Sequence, residues 1–364
     1  MHLFLIIFRH CLGITLGLLL ALSPAQAAQL QIGHSREFWV WDLSVMPPAH
    51  RKTEAKLRAI GPRSLIYVEE KFWEKSIAAD FVARLSHNLE NQTPSGSYAP
   101  SQGIIPIQET LFAPLPNKFG DARAIVLFAD LGQYKNYRFD GFFNPFDQMK
   151  ESEAVAQGQH SNEGNLIYIN GFRMTETYTT GVISHELNHL LGHQFAGEGQ
   201  DLWYSETLAE MAMLVTGYYS DQGHADRFAK APQDFPLVSH NYVHYGPQLL
   251  FASYLLDIMG DKKIGLPFLA RTQGNGRYAI EEFLRANTSR PISFDVMFSN
   301  FIGYVFENGG NTLPYTLVNA GSEGLVMPEI PAYATLESFP ATIEGKIMPY
   351  TYLAIDLPSA IPLT

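Results

Sequence analysis

From Leu12 to Leu22 the side chains are mostly apolar, with Arg9 before the run and Ala25-Gln26-Ala27 after it. A basic residue, a short apolar run and a small-x-small site are the layout of a cleaved signal peptide, here over 1–27. The alternative is an N-terminal membrane anchor, for which a run this short falls below the roughly 20 residues needed. Beyond it the pattern turns to strand-like segments. "REFWVWDLSV" alternates, "SLIYVEE" (Ser64 to Glu70) follows, and "ARAIVLFADL" (Ala122 to Leu131) and "NLIYIN" (Asn165 to Asn170) read as further strands, the former a continuously apolar run of the buried kind.

Helical spacing appears between Lys71 and Asn91, where apolar residues fall at 72, 73, 77, 81, 82 and 85. "NQTPSGSYAPSQG" (Asn91 to Gly103) has loop composition. A second polar and aromatic stretch precedes "NLIYIN". After that strand, Thr179 and Thr180 can cap a helix containing "ISHELNHLLGHQF". "LWYSETLAEMAMLVTGYY" (Leu202 to Tyr219) is a strong helical segment, and three more lie between about 221 and 307: "GPQLLFASYLLDIMG", "YAIEEFLRA" and "SFDVMFSNFIGYVF". From about Thr312, proline, glycine and β-branched residues predict a small β appendage or extended tail. The expected organisation is α+β: 28–220 a first lobe with a mixed sheet and two site helices, 221–310 a mostly helical second lobe, and 311–364 a β-rich tail.

Composition narrows the chemistry. At 364 residues and 46% hydrophobic content, the chain can bury a sizeable core. Its one cysteine, Cys11, lies in the leader, so cleavage removes disulfides, thiolate nucleophiles and cysteine metal sites together. Loss of Arg9 takes the formal charge from −11 to −12, and an acidic surface argues against a nucleic-acid partner. No later stretch approaches about 18 apolar residues, so no stable membrane insertion is expected after cleavage. The oligomeric state is not legible.

His185 and His189 stand four apart in "HELNH". On a helix they are about 40° apart around the axis and about 5.4 Å along it, so both imidazoles can reach one metal ion. Glu186, rotated about 100° from His185, lies at the edge of that face as a candidate general base. With 12 histidines in the chain, such a motif arises by chance on the order of twice in a hundred sequences of this length. A surface helix with two solvated histidines is the bland alternative.

A catalytic zinc needs a third protein ligand. His193 is eight residues from His185, about 12 Å along a continuous helix. It serves only if Gly192 breaks the helix, as in the metzincin pattern, whose third histidine would fall at 195, where this chain has Phe195. Glu206 is the better nominee, on the next helix. Glu210, one turn on, can accept the free ring N–H of a ligand histidine. The alternative for both is a solvated amphipathic face, with Trp203, Leu208, Met211 and Leu214 as the apolar stripe.

"HELNH" followed by "DLWYSETLAEMA" resembles the paired helices of the gluzincin clan of zinc metallopeptidases. Ser205-Glu206-Thr207 stands where many of them have Asn-Glu-Gly. "GPRSLIYVEE", "FDGFFNPFDQ", "SNEGNLIYIN" and "HYGPQLLFASYLLDIMG", in that order, resemble the hyicolysin-type neutral metallopeptidases over roughly 60 to 305. The resemblance implies a zincin-like two-lobed fold, a zinc ion held by His185, His189 and Glu206, and secreted or periplasmic peptidase activity on peptides or proteins. The aminopeptidase motif G-x-M-E-N is missing, which favours an endopeptidase. Tyr245 is the first choice for stabilising the oxyanion, among His240, Tyr242, His244 and Tyr245, and "NLIYIN" is expected to align substrate by edge pairing. The rival from another class is a secreted binding or cell-envelope protein on a degenerate peptidase fold.

Overall fold

The chain's computed structural model describes residues 30–135, 137–172, 175–196, 200–219, 221–239, 244–272, 276–287, 292–313, 325–335 and 347–356. The signal-peptide reading over 1–27 lies outside them, as do His240 and Tyr242. The first elements are β1 (Ser35–Asp42), β2 (Ala49–Ile60), β3 (Ser64–Glu69), α1 (Ala79–Glu90), α2 (Ile104–Leu111) and β4 (Ala124–Ala129). Next come the short strands β5 (Gln133–Tyr134), β6 (Tyr137–Arg138) and β7 (Gly141–Phe143), the short helix α3 (Glu151–Val155), and β8 (Asn165–Asn170).

Six of these strands form one mixed sheet in the order β1-β2-β3-β4-β8-β7. β3, β4 and β8 run parallel to one another, and every residue in them is buried. Parallel strands covered on both faces read as continuous apolar runs, which is why these three were legible. β2 was not. Its inward positions hold only Ala55 and Leu57 as buried apolar groups, while Lys52, Lys56 and Arg58 stay at the surface and pair with Glu37 or Glu70. The helix expected from Lys71 begins only at Ala79. Before it, Phe72 and Ile77 are buried from a turn in which the Phe72 carbonyl accepts from the amides of Lys75, Ser76 and Ile77. α2 was missed because Pro106 and the preceding loop hide it; a proline in the first turn costs no helical hydrogen bond.

The second half is helical: α4 (Glu176–His193), α5 (Leu202–Thr216), α6 (Gln222–Lys230), α7 (Gly246–Ile258), α8 (Lys262–Arg271), α9 (Gly276–Asn287) and α10 (Phe294–Glu307). In the expected β-rich tail, the described residues contain a bridge between Thr312 and Val326 and a two-residue parallel pair, β9 (Ala334–Thr335) and β10 (Ile355–Asp356). Among the described residues, no helix is long and apolar enough to cross a membrane.

Two apolar clusters organise the packing of Ile32–Thr364, which forms one compact unit. One joins the sheet to α1, α2 and α4 through residues such as Val126, Ile167, Ile183, Leu187 and Leu190. The other joins α5 to α7, α8, α9 and α10 through Trp203, Met211, Leu214, Phe251 and Phe301. α2 contributes to both clusters, and elsewhere the division runs between α4 and α5. These two helices are packed against each other and belong to opposite clusters, and the chemistry suggested by the sequence sits on the seam.

Candidate metal centre

α4 is buried on nearly every side from Thr179 to Leu191, and polar groups along it meet partners rather than water. Its N-cap is Thr175, whose hydroxyl accepts from the Tyr178 amide. Thr179 and Thr180, expected as caps, lie one turn inside and donate their hydroxyls to the carbonyls of Thr175 and Glu176. On its rear side, Gln108 of α2 donates to the carbonyl of Ser184 at 2.7 Å and to its hydroxyl at 2.9 Å. Ser184 in turn meets the Thr216 hydroxyl of α5 at 2.8 Å. This buried bridge ties three helices at the residue preceding His185.

His185, His189 and Glu206 come together with donor atoms that all lie within 4.8 Å of one another. The Nε2 atoms of the two histidines are 3.1 Å apart. Glu206 reaches His185 Nε2 with Oε2 at 3.0 Å and His189 Nε2 with Oε1 at 3.6 Å. The outer nitrogens are engaged elsewhere: His185 Nδ1 lies 3.4 Å from Glu210 Oε1, and His189 Nδ1 lies 3.1 Å from Ser205 Oγ. With Nδ1 directed outward, Nε2 is the nitrogen of each ring left to face a metal ion, which binds it once it has lost its proton. Two nitrogens and a carboxylate on rigid helices therefore suit a metal ion, and the donor types suit zinc among others.

The electrostatics follow from burial. Burial alone would lower the His185 pKa, but the Glu206, Glu210 and Glu186 carboxylates raise it well above its ordinary value. For Glu206 burial works upward, and His189 and His185 outweigh it, holding the carboxyl far below the usual range. Glu186 is the exception: burial dominates and pushes its pKa up, although His185, His189 and the Phe143 amide, which donates to it, act in the opposite sense. A carboxylate made more basic in this way is a better proton acceptor.

The group lies in a cleft of about 470 Å³ lined also by Gly141, Phe142, Phe143, Gly192, His193 and Tyr245. Its wall includes β7, one of the two edge strands of the sheet among the described residues. "NLIYIN" is not that edge: β8 lies between β4 and β7, paired with β4 along its length and with β7 over residues 167–169, so it is an interior strand. β7 was missed because three residues carry too little pattern to identify a strand. His193 sits outside the donor cluster, at the end of an α4 that Gly192 does not interrupt, with its ring 5.5 Å from Phe143.

Tyr245 faces the site, with its ring 6.2 Å from that of His185. It has φ +60 and ψ −39, and the Gly246 amide donates to the His244 carbonyl at 2.7 Å, the geometry of the rare strained γ-turn. Gly246 makes this turn possible, since a Cβ there would meet the His224 carbonyl at 2.4 Å. His224, which no sequence signal marked, stacks on Tyr245 with centroids 5.3 Å apart. His244 instead packs edge-on against Phe235. Burial, with Glu206 and Glu210 nearby, raises the Tyr245 phenol pKa, so it stays protonated as a donor. No protein-family model matches this chain, and no curated protein is significantly similar to it.

Proposed function

We propose that this chain is a zinc-dependent peptidase of the two-lobed, zincin-like kind, secreted or periplasmic, and that it hydrolyses internal peptide bonds. The observation that carries the reading is the convergence of His185, His189 and Glu206 beside the buried Glu186, whose pKa burial raises, in an open cleft. His185, His189 and Glu206 would hold the ion, with Glu210 and Ser205 orienting the two rings. Zinc bound there supplies a Lewis acid that acidifies water and polarises a carbonyl.

The chain's own groups do the rest. Glu186 takes the proton of the attacking water and returns it to the leaving amine. The Phe143 amide beside its carboxylate opposes the rise in its pKa. The Tyr245 phenol donates to the oxygen on which charge develops, from the turn at positive φ that aims it into the cleft. An extended peptide pairs with the outward edge of β7 and is thereby laid across Glu186.

The test is metal analysis of the purified protein together with chelator-sensitive hydrolysis of casein or a peptide library. About one zinc per chain is expected. Glu186→Gln should keep the metal and lose at least about a hundredfold in kcat. Near-normal turnover by that variant, or proteolysis by metal-free protein, would exclude the mechanism.

A further inference from the structure

A second cavity, of about 270 Å³, opens beside the cleft and shares Gly141, His185, Glu186 and Tyr245 with it. It is a side chamber at the point where the bond to be cut would lie. Val182 of α4 and Met213 of α5 give it an apolar wall, and three carboxylates besides Glu186 line it: Asp140, Glu210 and Asp221. Asp140 accepts from the Tyr178 phenol at 2.7 Å, and Asp221 accepts from the Gly223 amide at 2.8 Å. Glu210 is 2% exposed, and its Oε2 has no hydrogen-bond partner among the described residues. All three carboxylates lie close enough to Tyr178 to act on its phenol.

Among the described residues lining the chamber, the only Lys or Arg is Arg138. Its guanidinium lies 4.1 Å over the Phe172 ring and donates to Gln133 Oε1 at 3.2 Å, and its single positive charge is outnumbered by the four carboxylates of the lining. An acidic chamber with an apolar wall suits a long aliphatic stem ending in a cation. An acidic side chain would meet like charge, and a purely aliphatic one would strip water from the carboxylates without replacing it.

Resting on the peptidase reading, we infer that this chamber selects a lysine or arginine side chain next to the scissile bond, with Asp140 and Asp221 as the carboxylates that recognise it. The test uses peptides matched except for Lys, norleucine or Glu on either side of the cleaved bond, with products identified by mass spectrometry. At one of the two positions kcat/KM should rank Lys above norleucine above Glu, with about tenfold or more between the first and the last. Asp140→Asn with Asp221→Asn should collapse the Lys-to-norleucine ratio towards one. A parallel arm measures binding of the same peptides to zinc-loaded Glu186→Gln protein by fluorescence anisotropy. Cleavage with no Lys preference, or a preference that survives both substitutions, overturns the inference and leaves the peptidase reading standing. Charge-dependent binding without hydrolysis by the wild type supports the chamber and sinks the peptidase reading. Neither binding nor cleavage of any peptide overturns both.

Discussion

At His185 the two ring nitrogens do different jobs. Nε2 faces His189 and Glu206, while Nδ1 faces Glu210, which lies one helical turn beyond Glu206 on α5. Truncating a ligand removes a donor, whereas altering the outer partner only loosens the ring. Glu206→Ala should therefore abolish metal retention, and Glu210→Gln should weaken it by about 10- to 100-fold. His193→Ala should leave it intact, because that ring lies outside the donor cluster. Competitive titration with a chromophoric chelator reads all three. Loss of metal in His193→Ala with Glu206→Ala unaffected would restore His193 as the ligand.

At the scale of elements, the site depends on how closely α4 and α5 approach. A Cβ at Gly181 would sit 2.8 Å from the carbonyl of Tyr218, just past the end of α5, and 3.0 Å from Met213 Cε on α5, so glycine permits that approach. Gly192, on the same helix, has nothing within 4 Å of its would-be Cβ. Gly181→Ala should cost about 1–3 kcal/mol through overpacking. Gly192→Ala should be neutral or stabilising by up to about 1 kcal/mol, because alanine loses less backbone entropy in a helix. Denaturant titration of the metal-free proteins separates the two. Equal effects would mean that the α4–α5 contact does not set the spacing.

Across the whole molecule, a buried network on the far side of the sheet adds a pH dependence unrelated to catalysis. Tyr168 of β8 and the Asn162 amide donate to Asp147 at 2.7 and 2.6 Å, and Asn162 also pairs with both backbone groups of Trp39 in β1. Asp147 is fully buried, and burial raises its pKa from 3.8 to about 7 despite those donors. Between these values the folded protein holds a proton that the unfolded chain has lost. The contribution is thus fully present below about pH 3.8 and disappears as pH rises through about 7, with a slope of at most about 1.4 kcal/mol per pH unit. Asp147→Asn lacks that slope. Melting curves from pH 4.5 to 7.5 should show the wild type losing stability relative to the variant as pH rises, and parallel curves would rule out the titration of Asp147.

How far the sequence reached depended on how local each feature is. The helical spacing of His185 and His189, the position of Glu206 with Glu210 one turn later, and the fully apolar runs of β3, β4 and β8 are set by neighbours within a few residues, so composition and period are enough to read them. β2 was hidden by charges that face solvent on one side of a hairpin, and α2 by a proline that its first turn tolerates. Which strand forms the edge could not be read, because strand order arises from pairing across long separations: β8 became interior when the three residues of β7 closed over it. The stack of His224 on Tyr245 and the carboxylates of the side chamber likewise join residues on different elements. The sequence alone determined which side chains can bind a metal ion and take a proton. Only the tertiary structure decided what surrounds them, because the seam between two apolar clusters exists only once both have packed.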